Sequence, residues 1–466
     1  MIVEQFYTQC LSEAAYIIAS NGEAAVVDPL RDIDVYIAWA EQNKVKIKYI
    51  FETHFHADFV SGHLDLAAKT GAQIIFGPHA HTHYSKHEAQ DGELFTVGAC
   101  TLRIIHTPGH TLESTCFLLY DPQGIPHALF TGDTLFVGDV GRPDLSGGHY
   151  TTEELAAMLY DSLQKLNTLP DHVIVYPAHG AGSSCGKQLG PERHSTLGHE
   201  RAYNYALQSP DKLHFIQTVT EGLSEPPVYF STNARINKQG YESIDQLKEN
   251  GLVALQVHDI KYWQQQQAIL LDTRPATIFT QGFIPGSVSI GLEGRFAEWA
   301  GTLLPFHENI VMITEPGKEE ETLIRLTRVG FDRVVGYLQG GYEAWVQAGE
   351  PIDMIIDIEA DELQMDLNYD EHLVVVDVRK ELEFDAGHVQ TAVNMPLHTL
   401  IDLMNISSFE EDDNIYIHCA GGYRSVIAAS LFKRQGVHNI RNVLGGYDQI
   451  KQLKGMPLVA AKELLN

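Results

Sequence analysis

The sequence predicts an α/β protein built from several domains, and three observations lead to that prediction. The chain has 466 residues, and at roughly 150 residues per domain about three domains are expected. Short β-rich runs alternate with amphipathic helical stretches along its length, a pattern typical of sheets covered by helices. The C-terminal half also repeats itself. We therefore predict domains at 1–252, 253–352 and 353–466.

The first predicted domain contains a series of short strands, most of which end in a polar cluster. They include AAVVDP, IKYIFETH, AQIIFG, TLRIIHT, TCFLLYD, HALFTGD and HVIVYPAH. Helical patterns lie between some of them, near residues 34–42, 62–69 and 152–166. The segment 222–251 is rich in Pro, Asn and Gly. Because these residues interrupt regular structure, we interpret it as a connector.

The C-terminal half contains two copies of one pattern, offset by 105 residues. Each copy has short apolar strands alternating with helical stretches, which predicts a parallel sheet in each. Three separate matches at one offset indicate a duplication. The matching segments are Asp272-Thr-Arg274 with Asp377-Val-Arg379, Gly282-Phe-Ile284 with Gly387-His-Val389, and Gly340-Gly-Tyr342 with Gly445-Gly-Tyr447.

Composition excludes several classes of partner. The net charge of −29 repels phosphate backbones and anionic lipid, so we predict no nucleic-acid or membrane partner. The five cysteines are scattered, which fits a reducing compartment. No apolar run reaches the ~18 residues of a membrane span, and the N-terminus lacks a signal-peptide pattern. We expect a cytoplasmic protein that forms a homo-oligomer.

Histidines and carboxylates follow the ends of several predicted strands. A single His-x-His pair is more often structural than metal-binding, but four such groups in order strongly predict a metal site. The residues are His54, His56 and Asp58 in THFHAD, His110 in HTPGH, Asp133 in TGD and His179 in YPAH.

This order of motifs resembles the metallo-β-lactamase superfamily over roughly the first half of the chain. The resemblance implies an αββα sandwich with metal at one edge of two packed sheets. The usual motif is H-x-H-x-D-H, whereas Phe59 stands where its last histidine is expected. A phenyl ring offers no ligand for a second metal. We therefore expect one metal, with Asp58 supporting the ligands.

Within the superfamily the pattern is most similar to the persulfide dioxygenases. That resemblance implies His54, His110 and Asp133 as the metal ligands, with His56 and His179 orienting them. Two imidazoles and one carboxylate form the facial triad of non-haem Fe(II) oxygenases. We expect Fe(II), one per chain, although the same ligands also bind Zn(II) well.

Two further residues are candidates for contact with a persulfide substrate. Arg142 lies in a loop that resembles the one beside the family's site. It is expected either to pair with a carboxylate of the thiol carrier or to form a structural salt bridge. Cys185 lies just after His179 and beside Lys187. It is either a thiolate of lowered pKa that handles sulfur or a loop thiol without function, and we favour the first.

The last copy carries the loop Cys419-Ala-Gly421-Gly422-Tyr-Arg424-Ser425 between a strand and a helix. Loop N–H groups and the helix N-terminus stabilise an anionic sulfur. The loop resembles the rhodanese active site, with Cys419 as nucleophile and Arg424 as a fixed cation.

The first copy has Thr314 and Glu319 at the two positions that Cys419 and Arg424 occupy in the last copy. Without a thiol it forms no persulfide, so we predict a structural spacer or docking surface.

The combined hypothesis is a dioxygenase that oxidises a low-molecular-weight persulfide, of glutathione, coenzyme A or a similar thiol, with O2 to sulfite. Cys419 would transfer sulfane sulfur, with sulfite or thiosulfate as partner. One alternative is a glyoxalase II-type thioester hydrolase with a sulfurtransferase module, which uses two metals. The other is a non-enzymatic sulfur carrier with a structural metal.

Overall fold

The computed structural model describes residues 1–145, 150–406, 409–410 and 412–460. The chain divides into two compact units. Unit 1 comprises Met1–Gln246 with Leu326–Gly330, and unit 2 comprises Leu247–Arg325 with Phe331–Asn466. The predicted fold class, a sandwich of two sheets between helices followed by two α/β domains with parallel sheets, is confirmed.

Unit 1 contains mixed sheets and surrounding helices. Its strands are β1 Ile2–Thr8, β2 Glu13–Ser20, β3 Glu23–Val27, β4 Lys46–Glu52, β5 Gln73–Phe76, β6 His87–Glu88, β7 Leu94–Val97, β8 Cys100–His106, β9 Thr115–Tyr120, β10 Pro126–Gly132, β11 Ile174–Pro177 and β12 Ser195–Thr196. Its helices are α1 Asp34–Gln42, α2 His63–Thr70, α3 Thr152–Leu166, α4 Leu197–Tyr203, α5 Lys212–Thr220, α6 Phe230–Gln239 and α7 Ile244–Gly251, the last of which crosses the boundary to unit 2.

The strands of unit 1 form two sheets that pack face to face. Their orders are β1-β2-β3-β4-β5-β6 and β12-β11-β10-β9-β8-β7. Apolar side chains from both sheets fill the interior, where the Phe51 and Phe117 rings lie 4.9 Å apart. Residues of α1 and α2 cover the outer face of the first sheet, and residues of α3 and α5 cover that of the second. Because both faces of each sheet are buried, strands such as β2 are apolar along most of their length.

Unit 2 contains two copies of a smaller α/β domain. The strands are β13 Ala254–Leu255, β14 Ile269–Asp272, β15 Val288–Ser289, β16 Ile310–Ile313, β17 Val334–Leu338, β18 Ile356–Ile358, β19 Leu373–Asp377, β20 Gly387–Val389, β21 Val393–Asn394, β22 Asn414–His418, β23 Ile440–Val443 and β24 Leu458–Ala460. The helices are α8 Val257–Gln265, α9 Ala276–Phe279, α10 Phe296–Leu303, α11 Glu319–Thr327, α12 Gly341–Gln347, α13 Ala360–Asp366, α14 Glu381–Asp385, a 3-10 helix Leu397–Ile401, α15 Leu403–Ile406, α16 Tyr423–Arg434 and α17 Gly446–Ile450.

The two copies have parallel sheets with matching strand order. The first copy has the order β13-β17-β16-β14-β15 and the second β18-β23-β22-β19-β21. Strands β14 and β16 are wholly buried, as expected for parallel strands covered on both faces. None of the helices in the described ranges combines a membrane-spanning length with an apolar sequence.

Candidate metal centre and sulfur-transfer loop

The predicted metal ligands meet at one edge of the sandwich in unit 1. His54 follows β4, His110 lies four residues beyond β8, and Asp133 follows β10. All three are buried, and their ligand atoms lie within 4.8 Å of one another. The Asp133 Oδ2 atom is 3.7 Å from His54 Nε2 and 3.5 Å from His110 Nε2. Strand ends therefore bring together groups that are far apart in the sequence.

Hydrogen bonds fix which ring nitrogens carry protons. The Thr53 hydroxyl donates to Asp28, so it accepts the Nδ1 proton of His54, 2.9 Å away. His110 Nδ1 donates to the main-chain carbonyl of Arg142 at 2.9 Å. Burial lowers the pKa of His54 and keeps its ring neutral. Both Nε2 atoms therefore present lone pairs toward Asp133.

Asp133 Oδ2 is buried, and it has no hydrogen-bond partner among the described residues. The lone pairs of the two Nε2 atoms and of Asp133 Oδ2 thus point at one another with no proton between them. They repel one another unless a cation lies at the centre. The donor set of two imidazoles and one carboxylate fits a transition metal, and it leaves coordination positions open for small molecules.

The residues expected near a second metal, Asp58, Phe59 and His179, contact other protein groups. The Phe59 ring stacks on the His56 ring at a centroid distance of 4.2 Å. His179 hydrogen-bonds through Nδ1 to Asp133 Oδ1 and through Nε2 to Asp58 Oδ2, each at 2.8 Å. Burial by itself lowers the pKa of His179, but the two carboxylates outweigh burial and raise it. His179 therefore joins Asp58 to Asp133 through its two ring nitrogens.

His56 packs against the candidate ligand His54. Its ring centroid is 4.2 Å from that of His54, and its Nε2 atom is 3.1 Å from Asp28 Oδ1 and 3.7 Å from Glu52 Oε2. The ring therefore packs against a ligand while its polar edge faces two buried carboxylates.

The segment interpreted as a connector instead contains α6 and α7. Asn237 of α6 is buried, and its side-chain amide donates to the carbonyls of His56 and Phe59, both at 2.8 Å. Its Oδ1 atom accepts from Ser61 N at 2.9 Å. Asn237 thus makes three hydrogen bonds to the segment 56–61, the metal loop, which follows the candidate ligand His54. Sequence reasoning missed it because this contact spans more than 170 residues.

Cys185 lies close to the centre, as predicted, but its environment differs from the prediction. Its sulfur lies within 4.8 Å of ligand atoms of Asp58 and His179. Burial raises the pKa of the Cys185 thiol, and Asp58 and Asp133 raise it further. The expected lowering by Lys187 is wrong, because the Lys187 ammonium donates to the Thr218 carbonyl.

Arg142 makes the structural salt bridge that was one of its two predicted roles. Its guanidinium pairs with both oxygens of Asp144, at 2.7 and 2.6 Å. It also donates to the carbonyls of Ser184 and Ser224. Arg142 is buried, so its side chain ties three loops together while its carbonyl orients His110.

The predicted sulfur-transfer loop lies between β22 and α16 in the second copy. Cys419 is buried, and Gly422 N donates to its sulfur at 3.1 Å. The Ser425 hydroxyl is 3.7 Å from the same sulfur. Gly422 has a φ of 110°, which favours glycine. Nothing lies within 4 Å of a Cβ placed on Gly421, so the loop is open there.

Arg424 lies beside the loop, where a carboxylate holds it. Its guanidinium makes two hydrogen bonds to Glu383, at 2.7 and 2.8 Å. These bonds raise the pKa of Arg424. The arginine is thus a fixed cation near the sulfur.

Comparisons with known proteins agree with this division of the chain. The family model of the metallo-beta-lactamase superfamily matches residues 9–179, and that of the rhodanese-like domain matches residues 256–348 and 359–453. A crystal structure of a metallo-beta-lactamase from Staphylococcus aureus subsp. aureus COL is 32% identical. The match covers 72% of this chain and 98% of the crystallised protein, with a TM-score of 0.64.

Curated relatives match part of the chain. The hydroxyacylglutathione hydrolase of Maricaulis maris (strain MCS10) is 30% identical over 42% of this chain and 73% of the relative. The beta-lactamase hydrolase-like protein of Xylella fastidiosa (strain 9a5c) is 27% identical over 46% of this chain. The chain spans 54% of that relative's length. The chain belongs to the metallo-beta-lactamase superfamily and carries two rhodanese-like domains.

Proposed function

We propose that the protein is a persulfide dioxygenase joined to a sulfurtransferase. Unit 1 would oxidise the persulfide of a small thiol, such as glutathione or coenzyme A, to sulfite with O2. It would use one Fe(II) held by His54, His110 and Asp133. Cys419 in unit 2 would transfer sulfane sulfur, with sulfite or thiosulfate as partner. The free state of all five cysteines supports the cytoplasm as its compartment. A homo-oligomer remains our expectation.

The convergence of three lone pairs on one point carries this proposal. Only three protein atoms meet there among the described residues, so a bound metal keeps positions for both a sulfur donor and O2. Bound iron would supply the redox chemistry that joins O2 to the sulfane sulfur.

The surrounding residues hold this arrangement in place. His179 donates to Asp133 Oδ1 and so leaves Oδ2 free toward the centre. The Arg142 carbonyl fixes the tautomer of His110, and Thr53 does the same for His54. Such outer contacts set ligand orientation and basicity.

In unit 2 the transfer would proceed in two balanced steps at Cys419. The Cys419 thiolate attacks the outer sulfur of a persulfide, the S–S bond breaks, and the thiol carrier leaves. The Cys419 persulfide then gives that sulfur to sulfite, which forms thiosulfate and restores the thiolate. The Gly422 N–H and the α16 N-terminus stabilise the anionic sulfur in both states.

A second candidate function is thioester hydrolysis. It is favoured by the similarity to the hydroxyacylglutathione hydrolase of Maricaulis maris. Metal-activated hydroxide is the reagent that such hydrolysis needs. Against it stand Phe59, which offers no metal ligand, and His179, whose two ring nitrogens are hydrogen-bonded to Asp58 and Asp133.

The two functions are separated by oxygen consumption. Metal-free protein is loaded anaerobically with Fe(II) and supplied with glutathione persulfide, and O2 uptake and sulfite are measured. His110→Ala is expected to lose activity by at least about a hundredfold, because one of three ligands is gone. The matched control is His106→Ala, since the His106 ring contacts the Leu112 carbonyl and the His79 ring and is not one of the candidate ligands.

The dioxygenase proposal predicts that O2 uptake equals the sum of the sulfite and thiosulfate formed, because Cys419 would convert part of the sulfite to thiosulfate. Hydrolysis of S-lactoylglutathione without any O2 uptake from persulfides would favour the hydrolase. Absence of both activities in protein that has taken up iron would favour a structural metal and a sulfur carrier.

A further inference from the structure

The side chain of Tyr423 extends from the sulfur-transfer loop to the first rhodanese-like copy. Tyr423 begins α16, directly after Gly422. Its hydroxyl donates to the main-chain carbonyl of Gly291 in the first copy at 2.9 Å. The ring packs on the segment 291–294, because a Cβ placed on Gly291 or Gly294 would be 3.6 or 3.5 Å from it. The residue next to the loop glycines is therefore anchored outside its own copy.

The segment 291–294 is itself held in place within the first copy. The Arg325 guanidinium of α11 donates to the Leu292 carbonyl at 2.6 Å. The main-chain N–H of Leu292 donates to the Thr273 carbonyl at 3.2 Å. Two hydrogen bonds therefore fix the residue next to the carbonyl that accepts from Tyr423.

A second contact between the copies fixes the middle of the same helix. The main-chain N–H of Ser289, in β15 of the first copy, donates to the hydroxyl of Ser430 in α16 at 3.0 Å. Both residues are buried, so water does not compete for this hydrogen bond. With the middle of α16 fixed by this contact, the Tyr423 hydroxyl determines how the first turn of the helix is held.

The first turn of α16 carries the group that contacts the sulfur. Gly422 N donates to Cys419 Sγ at 3.1 Å, and the Ser425 hydroxyl donates to the Gly422 carbonyl at 3.0 Å. A Cβ placed on Gly421 would meet no described atom within 4 Å, so neighbouring elements do not hold that side of the loop. A hydrogen bond to the charged form of an acid stabilises that form, and it weakens steeply when its direction is lost. The position of the first turn therefore affects the stability of the anionic sulfur.

We propose that Tyr423 is a positioning residue for sulfur transfer and that the first copy is its anchor. The hydrogen bond from Tyr423 to Gly291 keeps the Gly422 N–H directed at Cys419 Sγ. This inference rests on the proposed sulfur transfer through Cys419. It gives the copy without a thiol a defined part in the reaction of its neighbour, because that copy fixes the element that stabilises the anionic sulfur.

The first test measures the alkylation of Cys419 by iodoacetamide in full-length protein as a function of pH, by mass spectrometry of the peptide that contains it. Only the thiolate reacts, so the profile reports how well the anionic sulfur is stabilised. Tyr423→Phe keeps the ring and removes the hydroxyl, and it leaves the ionisable neighbours of the loop, His418, Arg424 and Glu383, unchanged. The midpoint of the profile is expected to move to higher pH. Below the midpoint the alkylation rate should fall roughly three- to tenfold, as expected for one weakened hydrogen bond to the sulfur.

The second test measures sulfur transfer from glutathione persulfide to sulfite by the same variant. At the same pH, transfer by Tyr423→Phe is expected to slow by a similar factor, because the Cys419 thiolate is the attacking group. The matched control is Tyr416→Phe. It removes a hydroxyl that donates to Asp366 in the same copy, away from the loop, and it should leave both the alkylation profile and the transfer rate unchanged.

A variant in the first copy tests whether the effect passes through the contact between the copies. Arg325→Ala removes the hydrogen bond that fixes the Leu292 carbonyl, and it is expected to move the alkylation profile in the same direction as Tyr423→Phe. In the double variant the rate should differ from that of Tyr423→Phe alone by less than about twofold. Without the hydroxyl, the position of the Gly291 carbonyl no longer affects the loop.

Three results would overturn the inference: an unchanged profile in Tyr423→Phe, an equal shift in Tyr416→Phe, or additive effects of Tyr423→Phe and Arg325→Ala. Alkylation needs neither a persulfide nor a sulfur acceptor. Absence of sulfur transfer in the unmodified protein would therefore overturn the proposed function of Cys419, while the alkylation profiles would still decide whether Tyr423 positions the loop.

Discussion

The two rhodanese-like copies share a scaffold and differ in the loop that performs chemistry. Asp272 and Arg274 in the first copy make the same buried ion pair as Asp377 and Arg379 in the second. Each arginine also donates to a glycine carbonyl, of Gly282 or Gly387. The framework is therefore independent of whether the copy carries a thiol.

The loops that follow the central strand of each sheet, β16 in the first copy and β22 in the second, are different. Cys419 follows β22, and Thr314 follows β16 at the equivalent place. Where the second copy has Gly421, the first has Pro316, which has no N–H to donate. The position of Glu383, the partner of Arg424, is taken in the first copy by Ile278. The comparison teaches that a fold can be retained while its anion-stabilising loop is lost.

The largest expected effect is the loss of sulfur transfer in Cys419→Ser. Without the nucleophilic sulfur no protein persulfide forms there, and we expect transfer to fall by more than about a hundredfold. Mass spectrometry of protein treated with glutathione persulfide measures the added sulfur. Oxygen uptake by unit 1 should persist, and Cys10→Ser serves as the control. Retained transfer would show that another thiol performs the reaction.

Removal of the shared arginine should destabilise both copies to a similar extent. Arg379→Ala and Arg274→Ala each leave a buried carboxylate unpaired, at a cost of about 3–5 kcal/mol. Each also removes an arginine stacked on a tyrosine ring, at 3.9 Å in the second copy and 4.0 Å in the first. Hydrogen exchange of peptides from β19 and β14 measures the loss. A large effect in only one copy would contradict the shared scaffold.

The Arg424–Glu383 pair, which is present only in the second copy, should contribute little to stability. Glu383 is 37% exposed, so Glu383→Gln is expected to cost less than about 1 kcal/mol. Hydrogen bonds from Arg424 lower the pKa of Glu383. The pair therefore stabilises at neutral pH, and this contribution is lost as pH falls through the lowered pKa. Urea unfolding at neutral and acidic pH tests this. A loss of unfolding free energy in Glu383→Gln that is larger at acidic than at neutral pH would contradict the prediction.

The smallest effect is expected from a thiol introduced into the first copy. In a Cys419→Ser background, Thr314→Cys should restore no measurable sulfur transfer, because the negative charge of Glu319 opposes a thiolate. Alkylation rates and persulfide formation at the introduced thiol can both be followed by mass spectrometry. Transfer above about a tenth of the original rate would mean that the loop needs only a thiol.

The sequence was most informative where function depends on local order along the chain. His54, His110, Asp133 and His179 each follow a strand, and strand ends on one edge meet in space. The 105-residue offset likewise predicted two parallel sheets. Both signals are patterns of neighbouring residues.

Features that depend on distant packing were missed or misjudged. Lys187 is two residues from Cys185 in sequence, yet burial, together with Asp58 and Asp133, raises the pKa of the thiol. Asn237 lies in a segment whose composition indicates a connector, although its amide holds the metal loop. These interactions have no local sequence signature, because they arise only when separate elements pack together.

The central claim is that one ferrous ion, held by His54, His110 and Asp133, oxidises sulfane sulfur. The most direct measurement is a titration of metal-free protein with Fe(II) under anaerobic conditions, followed by persulfide-dependent O2 uptake at each point. We predict that activity rises linearly and saturates at one iron per chain. Saturation at two metals per chain, or full iron loading without O2 uptake, would contradict the claim.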